Sequence, residues 1–154
     1  MHIPDKLLFP PQDIHTRYTH LYHIFFQIYK LYTNNVLGST IDSYVKCDTF
    51  DGVAYKGAPY LNVTCVYNPD KQEVLINVIN VNKDKALTAD IEAVSGTFDR
   101  KAEVRTVVQA MDAVFSAANA KDYEPVITSE NVKDGKLSHT FPAASFTQIV
   151  IPVK

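Results

Sequence analysis

His20 and His23 are the residues whose spacing comes nearest to that of a metal site. They lie three positions apart in a stretch with helical periodicity, so both side chains would point to one face of a helix. Zinc can be bound in this way when a third ligand comes from elsewhere in the fold. Residues 14–33 contain no Asp or Glu, however, and both histidines fall on the polar face. Solvated surface histidines are therefore the simpler interpretation. The remaining histidines have no partner evident in the sequence: His2, His15 and His139.

The acidic residues carry no recognisable catalytic pattern. The chain has 17 Asp and Glu residues, so some pair can always be proposed, but no motif marks one. Several aspartates fall in turn-forming stretches, where solvation explains them: Asp51, Asp70, Asp84 and Asp134. There is no G-x-S-x-G, P-loop or G-x-G-x-x-G pattern, and there are only 5 glycines. The sequence therefore predicts no catalytic, cofactor-binding or metal-binding residue.

Tyrosine is abundant enough to suggest a surface on which sugars stack. The chain has 9 Tyr and no Trp. Five of the tyrosines are assigned to the helix face or to a strand core: Tyr18, Tyr22, Tyr29, Tyr32 and Tyr44. The other four remain as a candidate carbohydrate-binding surface: Tyr55, Tyr60, Tyr67 and Tyr123.

Composition excludes several other classes of partner. Of the 154 residues, 46% are hydrophobic, as in a globular protein, and no apolar run approaches the ~20 residues of a membrane span. The net charge is −2 and the charges are interspersed, so we expect neither a nucleic-acid nor a membrane partner. Cys47 and Cys65 lie in strand-like runs and lack zinc-site spacing, which favours two free, mostly buried thiols over a disulfide.

Residues 14–33 have the periodicity of one amphipathic helix with a wide apolar face. At about 100° per residue, one side collects Ile14, Tyr18, Leu21, Tyr22, Phe25, Ile28, Tyr29 and Tyr32. Helix-start residues precede the stretch and helix-ending residues follow it: Pro10, Pro11 and Asp13, then Asn34, Asn35 and Gly38. So much aromatic surface requires a partner, either in this fold or in another domain.

From about residue 39 onward the period of the pattern changes to two, which predicts β-strands. Turn-forming stretches such as "NPDKQ", "NKDK" and "KDGK" separate them. The predicted strands are 40–47, 59–68, 73–82, 86–94, 102–110, 136–141 and 145–153. This number of short strands predicts an antiparallel β-sandwich of the jelly-roll kind. In the last strand, the more apolar side should face the core: Thr147, Ile149, Ile151 and Val153.

Four segments of the sequence, taken in order, resemble the sequence pattern of a known protein family. They are "SYVKCDTFD" (43–51), "APYLNVTCVYNPDKQEVLINVINVNKDKAL" (58–87), "VVQAMDAVFSAANAKDYEPV" (107–126) and "HTFPAASFTQIVIP" (139–152). The chain resembles the C-terminal part of glycoside hydrolase family 51, the α-L-arabinofuranosidases, over about residues 14–154. Within that family's "P-Y-L-D-V-S" and "L-P-x-x-S-F-T" phrases, the matching residues are Pro59, Tyr60, Leu61 and Val63, then Pro142, Ser145, Phe146 and Thr147.

The resemblance implies a division of the chain into two parts. Residues 1–38 would contain the last helix of a (β/α)8 barrel, and residues 39–154 would form the C-terminal β-sandwich. It also favours a strand over 102–110, followed by a turn and a loop, whereas the five alanines of 110–125 favour a helix. We expect the strand and allow a short helix within 111–121.

The resemblance also implies that the chemistry lies elsewhere in the parent protein. Family members are retaining hydrolases with two catalytic glutamates on barrel strands, the acid/base within an Asn-Glu pair. This sequence contains no Asn-Glu dipeptide, so no site residue carries over. The chain alone is expected to be a non-catalytic module of an enzyme that removes terminal non-reducing α-L-arabinofuranosyl groups from hemicellulose-type glycans.

The partner implied first is the catalytic barrel of the parent. Without it, the helix should pack on the sandwich or on a second copy of the chain, through Tyr18, Tyr22, Phe25 and Tyr29. Strands that the family recruits from before the barrel would be missing as well, so a sheet edge should be open. Two alternatives remain: a free-standing carbohydrate-binding module, and a β-sandwich that binds a protein.

Overall fold

The computed structural model describes residues 27–33, 38–108 and 124–154. Residues 27–33 are helical and are called α1, and ten strands follow, paired only in antiparallel fashion within these ranges. The strands are β1 (Ser39–Ile41), β2 (Thr49–Phe50), β3 (Ala58–Pro59), β4 (Leu61–Asn68), β5 (Glu73–Asn80), β6 (Leu87–Glu92), β7 (Lys101–Val108), β8 (Val126–Asn131), β9 (Lys136–Phe141) and β10 (Ser145–Pro152).

Six strands form the large sheet, in the order β1-β4-β5-β10-β7-β8. Its central strand β10 pairs with β5 on one side and β7 on the other, so that Ile149 lies between Ile76 and Val104. Ile149 and Ile151 point into the core, and Val153 packs against it, as the alternation predicted. Since β10 has neighbours on both edges and both faces are largely buried, its sequence is apolar or uncharged throughout.

The second layer is the two-stranded sheet of β6 and β9, and it packs on the inner face of the large sheet. Alternate residues of both strands face inward, chiefly Leu87, Ala89, Ile91, Leu137 and Phe141. Full burial of a side chain such as Leu137 stabilises the fold by about 1.5–3 kcal/mol. The two facing antiparallel layers confirm the predicted β-sandwich. A further short pair, β2 with β3, lies outside both sheets.

Asn80, at the end of β5, joins two loops. Its Nδ2 donates to the carbonyl oxygens of Lys85, Phe141 and Pro142, at 3.0, 3.1 and 2.8 Å. Its Oδ1 accepts from the backbone N–H of Asn82 at 2.9 Å. One buried amide therefore holds the β5–β6 loop against the turn between β9 and β10.

The helix α1 lies on the outer face of the large sheet. The ring centroids of Tyr32 and Phe146 are 5.3 Å apart, and Leu31 and Ile28 are half-buried beside them. These positions share one helix face because they are spaced i, i+3, i+4. The expectation that the helix packs on the sandwich is therefore confirmed for residues 27–33.

Tyr29 does not lie against the sandwich, the first of its two predicted partners, and its packing on a second copy of the chain stays a prediction. Tyr29 is 67% exposed, because the helix turns Ile28, Leu31 and Tyr32 toward the sheet and leaves Tyr29 on the opposite side. The other residues predicted to pack there, Tyr18, Tyr22 and Phe25, lie outside the described residues.

Most predicted strands coincide with observed ones, and the differences lie at the edges. The strand predicted at 40–47 is only the three residues of β1, and Tyr44, assigned to a strand core, is 90% exposed. The sequence did not predict β8, whose residues are mostly exposed at the sheet edge and show no apolar alternation. The end predicted at residue 110 for the fifth strand and most of the ambiguous segment 110–125 lie outside the described residues.

Candidate functional site

Metal binding finds no support in the described ranges. No three His, Cys, Asp or Glu side chains converge there on a point that could hold a metal ion. The helical pair His20 and His23 lies outside these ranges. Over the same residues, no helix has both the length and the apolar character that crossing a membrane requires. Both cysteines are free, as predicted, with Cys65 buried and Cys47 half-buried.

The tyrosines left over as a sugar-binding surface do not share one environment. Tyr60 is half-buried with its ring centroid 4.9 Å from that of Phe50, and Tyr67 is half-buried in β4. Tyr55 is 76% exposed. Tyr123 lies outside the described residues.

A side-chain carboxylate organises the loop that carries Tyr55. Oδ1 of Asp51 accepts a hydrogen bond from the backbone N–H of Gly57 at 2.9 Å, and its Oδ2 accepts one from Nζ of Lys56 at 3.1 Å. These two bonds, the backbone one first, lower the pKa of the Asp51 carboxyl group. These hydrogen bonds join the two ends of the loop, and the Tyr55 side chain between them is exposed to solvent.

A row of polar side chains with two buried amides at its centre crosses the outer face of the large sheet, and α1 contacts it at Gln148. We call it the polar row; it consists of Thr64, Asn77, Gln148 and Arg105, on β4, β5, β10 and β7. The register places each of them directly opposite the next. Gln148 is 0% and Asn77 2% exposed, so both amides are held away from water.

Hydrogen bonds run along the polar row in one direction. Arg105 Nη1 donates to Gln148 Oε1 at 2.9 Å, Gln148 Nε2 donates to Asn77 Oδ1 at 3.0 Å, and Asn77 Nδ2 lies 3.5 Å from Thr64 Oγ1. At the other end, the Arg105 guanidinium is paired with the Glu103 carboxylate at 2.6 Å. Buried polar groups are costly unless they are paired in this way.

The polar row also reaches the helix. Gln148 Nε2 donates a second hydrogen bond, at 2.9 Å, to the backbone carbonyl oxygen of Leu31 in α1. The Tyr32–Phe146 contact lies beside it, since Phe146 and Gln148 point to the same face of β10. The polar row therefore connects the large sheet to α1, which is far away in sequence.

A second buried polar side chain lies between the layers. His139, for which the sequence showed no partner, is buried in β9 with its Nδ1 2.9 Å from Oε1 of Glu130 in β8. The edge of its ring meets the ring of Phe141, with centroids 4.7 Å apart. Among the described residues, its Nε2 is the one buried side-chain polar atom without a hydrogen-bond partner. His139 thus ties the second layer to the edge of the large sheet.

One member of the polar row has a signal in the sequence, although that signal assigns it no role. Asn77, together with Asn80, interrupts an otherwise apolar strand. Gln148 and Arg105 gave no such signal, because polar residues recur throughout their strands. Only the register of four strands brings the members of the row together.

Comparison of the sequence with known proteins finds several that are similar to this chain. The chain is 30% identical over 124 residues to a probable alpha-L-arabinofuranosidase C of Aspergillus terreus, and 29% identical over 124 residues to that of Aspergillus clavatus. Each match covers 76% of this chain and 23% of the relative, in the C-terminal part. This chain is similar to the C-terminal part of alpha-L-arabinofuranosidases. No protein-family model matches it.

Solved structures show the same fold in such enzymes. An alpha-L-arabinofuranosidase from Thermotoga maritima superposes with a TM-score of 0.60 at 24% identity, over 75% of this chain and 26% of the enzyme. The family 51 enzyme from Thermotoga petrophila also gives a TM-score of 0.60 at 24% identity. The chain thus spans about a quarter of the length of the arabinofuranosidases that it matches.

Proposed function

We propose that this chain is the non-catalytic C-terminal β-sandwich of an alpha-L-arabinofuranosidase-like glycoside hydrolase. The observation that carries the proposal is the match to the C-terminal 23% of curated arabinofuranosidases, together with the shared sandwich fold. The parent reaction would be hydrolysis of terminal non-reducing α-L-arabinofuranosides in hemicellulose-type glycans.

In this proposal the two parts of the chain have different roles. Residues 1–38 supply the last helix of the barrel, and residues 39–154 form the sandwich that packs against it. The contact between α1 and the outer face of the large sheet supports this division. The sandwich would cover one side of the barrel and contribute to oligomerisation of the parent.

The chemistry of a retaining glycosidase explains why the sandwich would have no catalytic part. That reaction needs two carboxyl groups about 5–5.5 Å apart on a rigid scaffold, one as nucleophile and one as acid/base. We assign both groups to the part of the parent that the matched segment does not include. No metal or cofactor takes part in the proposed role.

An assay of the purified chain tests the proposal. Incubated with an aryl α-L-arabinofuranoside, the chain should release no more aryl alcohol than the buffer does, while the full-length Aspergillus terreus relative serves as the positive control. Turnover that co-purifies with the folded chain, and is lost when one of its own carboxylates is replaced, would contradict a non-catalytic role.

A second candidate, carbohydrate binding, is favoured by two exposed aromatic side chains. Tyr44 and Tyr55 lie in the segment between β1 and β3, and each presents most of its surface to solvent. Exposed rings are the groups on which sugar faces stack. Affinity electrophoresis in gels containing arabinan or arabinoxylan tests this. Retention of the chain, lost in a Y44A/Y55A variant and kept in a Y60A variant, would favour binding, whereas equal mobility in all gels would exclude it.

A further inference from the structure

We infer that the polar row is a docking site that recognises the backbone of α1 and so fixes where the helix lies on the sheet. The contact joins Gln148 to Leu31 across 117 residues of sequence. It is made by a side chain with no exposed surface, so no solvent molecule competes for its amide group. This is an interaction surface whose partner is the helix α1, which has the aromatic residue Tyr32 beside the recognised carbonyl.

The direction of the hydrogen bonds makes the site specific. The Arg105 guanidinium can only donate, so it holds Oε1 of Gln148 toward β7. The Gln148 Nε2 group is then turned toward Asn77 and the helix, where both of its hydrogens are used. The sheet thus presents a donor at one fixed point, and only a backbone carbonyl or another acceptor at that point satisfies it.

An apolar contact alone would not set the position of the helix. The rings of Tyr32 and Phe146 could remain in contact after small shifts of the helix along its axis. A shift of one residue moves a helix carbonyl by about 1.5 Å and turns it by about 100°, which would break the bond to Gln148. The aromatic pair therefore supplies attraction, and the polar row supplies the register.

This inference deepens the proposed structural role. It rests on that role only in identifying α1 with the preceding domain. On the proposed function, Gln148 is the positioning residue at the joint between barrel and sandwich. The docking itself is a property of this chain, so it can be tested independently of any arabinofuranosidase activity.

The decisive variant is Gln148→Glu, because it changes the contact with the helix and spares those within the sheet. The glutamate can accept from Arg105 in a charge-assisted pair. It can also accept from Asn77 if that amide turns over, and Thr64 can then donate to Asn77 Oδ1. Toward Leu31, however, an acceptor would now face an acceptor.

Hydrogen–deuterium exchange of the whole chain measures the result. In the Q148E variant, the amides of residues 27–33 should exchange at least about tenfold faster, while β5 and β10 exchange within about twofold of the unmodified chain. Thr88→Val, which removes the exposed hydroxyl contact between β6 and β9 in the other layer, is the control and should leave the helix unchanged. Unchanged helix exchange in Q148E would show that apolar contacts alone hold α1. Equal acceleration of helix and strands would show that the row only stabilises the sheet. Either result would overturn the inference.

Discussion

Asn80 illustrates how one buried side chain can replace a set of backbone contacts. Its amide hydrogens are shared among three carbonyl oxygens, that of Lys85 in the β5–β6 loop and those of Phe141 and Pro142 where β9 ends. Loop carbonyls left without a partner in a buried place are costly, because water no longer reaches them. Asn80 therefore stabilises the neighbouring loops as well as the strand in which it lies.

Replacing Asn80 should therefore destabilise the chain strongly. We expect Asn80→Ala to lower the free energy of unfolding by about 2–3 kcal/mol, since several buried groups lose their partner at once. Urea unfolding followed by far-ultraviolet circular dichroism measures this. Asn68→Ala is the matched control, because Asn68 Oδ1 accepts only from Asp70 and Lys71 in an exposed turn. Its loss should cost less than about 1 kcal/mol, and equal losses in both variants would contradict the role of Asn80.

The ionisation of Cys65 makes the stability of the fold depend on pH in the alkaline range. Burial raises the pKa of its thiol above the ordinary value of 9.0, with a hydrogen bond from Ser43 acting weakly in the opposite direction. The thiol of the unfolded chain ionises at lower pH than that of the folded chain. The neutral buried thiol therefore favours folding fully below the unfolded pKa, and this contribution is lost as the pH rises toward the folded pKa.

We expect the unmodified chain to lose stability more steeply than Cys65→Ala between about pH 8 and about pH 10. Parallel urea titrations at several pH values compare the two slopes, and ionisation of the tyrosines cancels because both chains share it. Identical slopes would show that Cys65 ionises equally in the folded and unfolded chains.

At the scale of elements, the turn between β9 and β10 contains a residue that is not suited to its backbone conformation. Ala144 has a φ of 46°, in the left-handed region, while its N–H donates to the carbonyl oxygen of Asn82 at 2.9 Å. A Cβ atom is strained in this region, whereas glycine adopts it freely. Asn82, Ser145 and Asn80 hold the turn in place despite that strain.

We expect Ala144→Gly to be more stable than Ala143→Gly by about 1 kcal/mol. Both changes add the same backbone freedom to the unfolded chain, but only the first relieves a positive φ, because Ala143 is not in the left-handed region. Thermal unfolding of the two variants, side by side, measures the difference. Equal midpoints would indicate that the turn is not strained at Ala144.

Elements that are bounded by clear turn-forming residues could be predicted from the sequence. β9 and β10 begin and end within a residue of their predicted limits, because "KDGK" and Pro142 mark their ends and their residues alternate clearly. β8 could not, since an exposed edge strand has no core face to impose alternation. The orientation of α1 could not be predicted either, because an apolar arc that wide does not indicate which part of it meets the sheet.

The polar row could not be predicted from any local pattern in the sequence. The polar row brings Gln148 to Asn77 across 71 residues, and to Arg105 across 43. Gln148 and Arg105 are unremarkable in their own strands, and Asn77 is marked only as a polar residue in an apolar run. Their meeting follows from the strand order of the large sheet, which the sequence predicted only as a class of fold.

At the scale of the whole molecule, the chain exposes surfaces suited to self-association. β1 and β8 are the two edges of the large sheet, and Val126 and Ile127 of β8 are exposed. Tyr29 projects from α1 on the side away from the sheet. Exposed edges and aromatic side chains are common elements of interfaces between identical chains.

We predict that sedimentation velocity will show a concentration-dependent dimer in which Tyr29 takes part. Tyr29→Ser should weaken the dimer about tenfold, which corresponds to ~1.4 kcal/mol of lost contact. Tyr55→Ser, which removes a tyrosine of similar exposure from a loop, is the control and should leave the dimer unchanged. A clean monomer of the unmodified chain at all concentrations would refute self-association.

The position of β10 has a consequence for how the chain acquires its fold. Among the described strands, β10 is the last to leave the ribosome, yet within these residues it alone links β1-β4-β5 to β7-β8 in the large sheet. Until it emerges, the nascent chain holds two half-sheets with the edges of β5 and β7 unpaired. Such edges invite aggregation, and pairings between distant segments form slowly. We therefore expect this domain to complete its folding only once β10 has emerged, and to depend until then on chaperones that shield strand edges.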